Sequence, residues 1–452
     1  MSKEKVDLLE GDIKKTFLKY LIPAVGGMFG TSLYVLGDTM VVGRGLGSQG
    51  LAALNVGIPI NNVFNGMGLL LGIGGATALA INRGRQDEEG VNDIFSKSMI
   101  MAFIVGILLT LVRVFFLEEF ANILGASENT LPMVKNYLGT LMMFSTAFLL
   151  NVSLTVFVRN DGAPGLAMAG MLTGSIMNVV LDYIFVFIFG WGMTGVGIAT
   201  GLAPVIGLII LSTHFIRKKN KLSFIIPSFD FETIKRILTN GGASFIIELS
   251  AGIVIFAFNI ALSGITGDLG ISAYSIIANL SLIFAAIFTG VGQAVQPIVS
   301  YNFGAKKLER VYETVKLAIY TSLGLGVLFY AVGLFFPEFL VALFIDADAE
   351  LLSITVRGIR FYFLAFILMG FNIVLTSFIQ SKEHGRASFT ISLLRGFVLV
   401  IAILLVLPKI IGIDGVWLTL PLAELITTIF SLFYFKKYRQ AVKYSIKNMN
   451  PK

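Results

Sequence analysis

Four carboxyl groups of this chain fall inside long apolar runs: Asp38, Asp182, Glu248 and Glu424, with Arg113 and Arg395 as the bases in comparable positions. A charged side chain at the centre of a bilayer costs roughly 2.5–3.5 kcal/mol. Each of these residues therefore needs a partner, a wet cavity or a function. Asp38 and Asp182 share a depth, since each lies several residues from the end of its run, or roughly 10 Å at 1.5 Å per residue. Asn178 precedes Asp182 by one helical turn on the same face, and Thr200 enters at a similar depth from the next run. Two carboxylates with an amide and a hydroxyl suit a hard cation. They equally suit shared protons, because burial and mutual repulsion favour the protonated carboxyl. The plainer alternative is that each acid hydrogen-bonds a neighbouring helix. For Glu248 and Glu424 the plain reading is a pair with Arg395; the sharper one is an acid that lines a cavity and meets a cationic substrate. Arg113, near the end of its run, is expected to snorkel. Acids outnumber bases in this set, a balance that favours cations.

These groups require apolar helices to hold them, and the composition supplies little else. Of 452 residues 56% are apolar and only 13% charged, about half the usual charged share. Soluble multidomain and disordered classes are excluded by those figures. The absence of cysteine excludes a disulfide scaffold and thiol chemistry, and two histidines, His214 and His384, exclude a His-rich metal site. Neither histidine is expected to face an acid pair, which speaks against an intramembrane enzyme.

About 20 apolar residues cross a bilayer as a helix. Twelve such runs are expected, at 17–42, 51–81, 98–117, 138–157, 166–189 and 195–216, then 241–265, 273–298, 317–336, 359–379, 388–407 and 416–435. The first is too long for a cleaved signal and is expected to remain as a span. Lys and Arg set the orientation. Of 34, 26 fall on one set of loops and termini, including Lys3, Lys5, Lys14 and Lys15, the run from Arg217 to Arg236, and the C-terminal Lys436, Lys437, Arg439, Lys443, Lys447 and Lys452. The opposite loops hold Arg44, Lys135, Arg357 and Lys409. Both termini of a multi-pass cell-membrane protein are thus expected in the cytoplasm. The net charge of +7 belongs to this rim rather than to a nucleic-acid surface.

The chain also repeats itself at a constant offset of 220 residues. Phe115-Phe116-Leu117-Glu118 returns as Phe335-Phe336-Pro337-Glu338, Asn82 and Gly84 as Asn302 and Gly304, and Gly195-Val196 as Gly415-Val416. Each half holds six spans, so the halves share an orientation and a pseudo-two-fold axis along the membrane normal. The expected fold is an all-α polytopic membrane protein: twelve transmembrane helices in two parallel-repeat six-helix bundles. Residues 1–220 form the N-lobe and 221–452 the C-lobe, and Asp230 is placed to cap a helix that leads into span seven. Gly68-xxx-Gly72, Gly170-xxx-Gly174 and Gly197-xxx-Gly201 are faces for close helix approach. Such an architecture suits a secondary transporter. Direct ATP coupling is not expected, because the Walker pattern is absent.

Asp38-Thr39-Met40-Val41-Val42-Gly43-Arg44, Asn178-xxx-Asp182, the block from Trp191 to Thr200, and Gln296-Pro297 with Asn302-Phe303-Gly304-Ala305 together resemble the multidrug and toxic compound extrusion family. The resemblance covers nearly the whole chain. It implies alternating access and export of organic cations, often amphipathic drugs, by antiport with Na⁺ or H⁺ and with no other cofactor. It places a coupling-cation site at Asp38, Asn178, Asp182 and Thr200, and a further acid at Glu248. Asn151 either joins that site or bonds between helices. An acid that some members carry in span ten is missing from Leu368-Met369-Gly370-Phe371-Asn372, so coupling through the N-lobe is expected. The expected partners are small cationic amphipaths and the lipid bilayer, with no nucleic acid, and the expected state is a monomer. The alternative is a lipid-linked sugar flippase of the same superfamily, whose cavity would be rich in Arg and Lys. A major-facilitator signature is absent from Asn82-Arg83-Gly84-Arg85-Gln86-Asp87.

Overall fold

The computed structural model describes residues 7–228, 230–344 and 348–449, with side chains through Lys436 apart from Tyr434. Among the basic residues used for orientation, Lys3, Lys5 and Lys452 lie outside the described residues; the side chains of Lys437, Arg439, Lys443 and Lys447 are likewise not described. Every regular element among the described residues is helical. Among the described residues, eleven helices are long and apolar enough to cross a membrane. The first, Ile13–Gly84, runs for 72 residues and contains one non-helical residue, Gly47, at φ 68° and ψ −161°. That conformation is open essentially to glycine alone. Divided there, the helix supplies spans one and two, and the twelve expected spans are present.

The loop expected between residues 42 and 51 is therefore absent; a single glycine turns the chain. Spans three to six are Glu88–Ile123, Leu131–Asn160, Pro164–Ile188 and Gly192–Ile216. Spans seven to twelve are Phe231–Ser263, Asp268–Gly304, Leu308–Phe335, Ala349–Gln380, Gly385–Ile411 and Ile413–Phe433. The repeat is written in the backbone as well as the residues. Gly47 has its counterpart in Gly267 (φ 61°), Gly192 in Gly412, and Gln86 (φ 65°) in Lys306 (φ 59°), each 220 residues on.

Contacts divide the chain into two compact units. One holds Ile22–Gly252; the other holds Asp7–Leu21 and everything from Ile253 onward. The lobe boundary read from the sequence was 220/221, and local bonds explain the different division. The segment after span six is tied to span three of the first unit: Ser223 N–H donates to Asn92, Ile225 N–H to Ser96 Oγ, and Ser228 N–H to Asp93. Asp230 caps span seven as expected, accepting from the N–H groups of Glu232 and Thr233. The Thr233 hydroxyl, and then those backbone donors, hold its carboxyl below the usual carboxylate range. In the second unit the segment before span one is held the same way. Asn302 Nδ2 donates to Leu8 O at 3.1 Å, and Arg310 Nη2 to Gly11 O at 2.7 Å.

The three small-xxx-small faces all mediate helix contacts in the first unit. A Cβ on Gly72 would lie 2.9 Å from Ser153 Cα, one on Gly174 3.1 Å from Ala203 O, and one on Gly197 2.8 Å from Tyr137 O. The apolar core of this unit gathers Phe64, Phe95, Phe157, Tyr137 and Leu141, all within a few per cent of full burial. The second unit has its own core around Phe258, Phe288, Phe363, Phe366 and Trp417.

Candidate functional site

Span one meets span five in parallel, and their glycines set the register. A Cβ on Gly30 would strike Leu172, one on Gly37 would strike Val179, and one on Gly45 would strike Val186. Asp38, adjacent to Gly37, is thereby brought level with the turn that carries Asp182. Span six returns antiparallel along span five, with Gly174 against Ala203 and Gly195 against Phe185. That pairing brackets Asn178 and Asp182 on one helix and Thr200 on the other.

The two carboxyl groups come within hydrogen-bonding reach of each other. Asp182 and Asn178 are fully buried, and Asp38 and Thr200 nearly so. With both carboxyls ionised, five polar atoms here have no hydrogen-bond partner among the described residues: Asp38 Oδ1, both Asp182 oxygens, and Asn178 Oδ1 and Nδ2. Buried polar groups are ordinarily paired, so such a cluster is set for a species that arrives from outside the fold. Thr200 donates its hydroxyl proton to Val196 O at 2.9 Å, which leaves Oγ1 lone pairs as acceptors. The donor set is hard oxygen, the chemistry that Na⁺ takes, and the adjoining carboxyls serve a proton equally. Beyond Asp182 the helix passes into a π-helical stretch, Ile184–Ile188. Such π turns occur frequently at functional sites.

Glu248 belongs to the first unit, within the Ile22–Gly252 set. Its Cβ would lie 3.3 Å from a Cβ on Gly66 of span two. It shares an electrostatic neighbour with the pair: Tyr34, one turn before Asp38, lies within Coulombic range of Asp38, Asp182 and Glu248. Asn151 is placed elsewhere. Its Oδ1 would lie 2.5 Å from a Cβ on Gly207, two turns from Thr200, or roughly 10 Å along span six.

Sequence reasoning missed two phenols and an amide. Tyr137 is fully buried, lies within Coulombic range of Asp38 and Asp182, and accepts from Asn61 Nδ2 at 3.1 Å. The i−4 spacing from Asp38 was a signal for Tyr34. No linear signal exists for Tyr137, whose place follows from span packing. His214, not expected to face an acid pair, meets a single carboxylate that an arginine shares. His214 Nε2 lies 2.8 Å from Asp161 Oδ2, and Arg83 Nη2 lies 3.0 Å from Oδ1 of the same carboxylate. Asp161 also accepts from Lys221 N–H. This buried knot joins the ends of spans two, four and six, which separate widely in sequence.

In the second unit Glu424 is paired. Arg395 Nε donates to Oε1 at 2.8 Å and Oε2 at 3.1 Å, and Asn372 Nδ2 donates to Oε2 at 2.6 Å. The plain reading of Arg395 and Glu424 is the observed one, and the span-ten position without an acid serves instead as a strut.

The family model for MatE matches residues 23–184 and again residues 244–406, so the match itself falls twice, once on each half. The multidrug export protein MepA of Staphylococcus saprophyticus is 26% identical over 421 residues, which cover 92% of each chain. MepA of Staphylococcus aureus is 25% identical over 415 residues, covering 91% of this chain and 90% of that protein. A solved structure described as the outward-facing conformation of a multidrug resistance MATE family transporter superposes with a TM-score of 0.92 at 23% identity, covering 98% of this chain and all of the other. A MOP superfamily transporter from Pyrococcus furiosus gives 0.90 at the same identity, covering 98% of this chain and 99% of that one.

Proposed function

The chain belongs to the MatE family, and from that premise we propose that it is a multidrug efflux transporter which exports organic cations and amphipathic drugs in exchange for Na⁺ or H⁺. It works by alternating access, with both termini in the cytoplasm. The observation that carries the coupling is the cluster of five buried, partnerless polar atoms on Asp38, Asn178 and Asp182. Two carboxyls within hydrogen-bonding reach of each other in a dry setting need a shared proton or a bound cation to be stable there. Asp38, Asp182, Asn178 Oδ1 and Thr200 Oγ1 would hold the cation. When it leaves, the residual negative charge favours a cationic substrate, which gives exchange rather than leak. Tyr34, Tyr137 and Glu248 border this charge and tune it. Export of drugs is also what the names of the MepA relatives describe.

The test is dye efflux from proteoliposomes under separate Na⁺ and pH gradients. Asp38→Asn and Asp182→Asn each replace a charge with a near-isostere, and each is expected to reduce gradient-driven efflux at least about 100-fold. Membrane insertion and Tm should stay near wild type. Wild-type efflux by both variants would sink the coupling scheme, and the gradient that drives the wild type names the ion.

A further inference from the structure

The link between spans six and seven is pinned along the first turns of span three. Ser223 N–H donates to Asn92 Oδ1 at 2.8 Å, Ile225 N–H to Ser96 Oγ at 3.0 Å, and Ser228 N–H to Asp93 Oδ1 at 3.0 Å. Continued at helical spacing, the Asp93–Ser96 face of span three becomes Ile100, Phe103, Ile107 and Leu111, all exposed. A contiguous exposed apolar stripe on a span is a surface for lipid. Ser96 lies two residues, or about 3 Å, before the apolar run that begins at Ser98. The link is therefore held at headgroup depth on a lipid-facing side. Leu222 is fully buried, and the Phe224 ring packs 4.7 Å from that of Phe95. Outside this anchor one face of Phe224 stays open, Ile225 is exposed, and Ile226 is 97% exposed. Just before them Arg217, Lys218, Lys219 and Lys221 are exposed, and none forms an ion pair among the described residues. Lys218 takes a left-handed φ of 50° as the chain turns off span six.

We propose that residues 217–228 form an interfacial strap that binds anionic phospholipid: Phe224, Ile225 and Ile226 enter the acyl boundary, and Arg217, Lys218, Lys219 and Lys221 take the lipid phosphates. The strap's backbone is fixed by bonds to span three, so Ile226 cannot turn inward, and its exposure to water is a standing cost that a bilayer removes. Four cations within five positions add their attractions to an anionic surface. Their long apolar stems let the charged heads reach phosphates while the strap lies at the boundary. A soluble acidic partner would match the charges, but the apolar triplet continues the lipid-facing stripe of span three, which favours the membrane. That the leaflet is the cytoplasmic one rests on the orientation proposed above; the contact with lipid does not.

The natural sequence has no cysteine, so Ser223→Cys carries a single bimane reporter on the strap of the full-length protein. The protein is placed in phosphatidylcholine nanodiscs, which leave both faces open, so the readout does not depend on orientation. Phosphatidylglycerol or phosphatidylcholine, each with a nitroxide at the headgroup end of an acyl chain, is added at equal mole fraction. The labelled phosphatidylglycerol is expected to quench at least about threefold more than the labelled phosphatidylcholine, on the scale of basic residues at an anionic surface. Arg217→Gln, Lys218→Gln, Lys219→Gln and Lys221→Gln together should bring that ratio to about one through loss of charge. Should this variant fail to insert, about 0.5 M NaCl must collapse the ratio in the unaltered strap by screening. Ile226→Ser should lower quenching by both lipids alike and leave the ratio standing. Equal quenching by the two lipids with the basic residues intact overturns the proposal, as does a ratio that survives both the charge removal and the salt. Quenching by aqueous iodide with none by either lipid also overturns it, and assigns the strap to a soluble partner. Loss of gradient-driven efflux in the Asp38 and Asp182 variants leaves these readings unchanged, so the two schemes fail separately.

Discussion

Lys382 follows span ten in the short turn before span eleven, and it is 2% exposed, its ammonium 4.1 Å from the Phe378 ring centroid. Burial pushes its pKa down to about 7 from 10.5. A base whose folded value is depressed is a liability at low pH: between about 7 and 10.5 the unfolded chain holds a proton that the folded one has shed, so stability rises with pH across that window. Lys382→Met is expected to remove this slope and to raise Tm near pH 7 by about 2–4 °C, the shift that 1 kcal/mol produces in a domain of 150–250 residues. Thermal unfolding of both proteins at the two ends of the window reads it directly; an identical slope in the variant would show that another group carries it. At this scale the sequence was informative where charge was out of place. Asp38, Asp182, Glu424 and Arg395 were visible because ionisable groups in apolar runs are rare. Tyr137 and the Asp161–His214 contact were not, since a buried phenol or histidine looks the same in sequence as one at a membrane edge.

Helix crossings carry the next level. The sequence displayed its small-xxx-small pairs openly, but not the closest crossing of the first unit. A Cβ on Gly241 of span seven would lie 1.8 Å from Leu70 O, and one on Gly74 2.1 Å from Ile237 O. Backbone has no rotamer through which to escape. Gly241→Ala is expected to cost about 1–3 kcal/mol or more by overpacking, seen as a lower Tm and reduced membrane yield. Gly324→Ala, where nothing lies within 4 Å, should be neutral or slightly stabilising. Equal behaviour of the two variants would refute the crossing. The turn at Gly47 taught the same lesson. Polar residues at 43–50 read as a loop, whereas the chain spends them in helix on both sides of one glycine.

For the whole molecule, orientation is the property that labelling can test. The natural sequence contains no cysteine, so single substitutions report without background. Glu128→Cys, in the turn between spans three and four, is expected to react with an impermeant maleimide on intact cells. Arg85→Cys, in the turn between spans two and three, should react only after permeabilisation. The reverse pattern would invert the topology. Composition, the bias of Lys and Arg, and the 220-residue repeat determined the membrane class, the span count and the two-half plan. These are sums over many residues, and a sum tolerates local error. Tertiary structure alone decided which polar groups meet: that Asp38 reaches Asp182, that Asn151 goes to Gly207 instead, that Glu248 packs with the first unit, and that Asn372 holds Glu424 behind Arg395. The physical reason is that a span fixes depth to within a turn but leaves rotation and neighbour open. Hydrogen bonds between helices depend on both, and only the packing of backbone against glycine sets them.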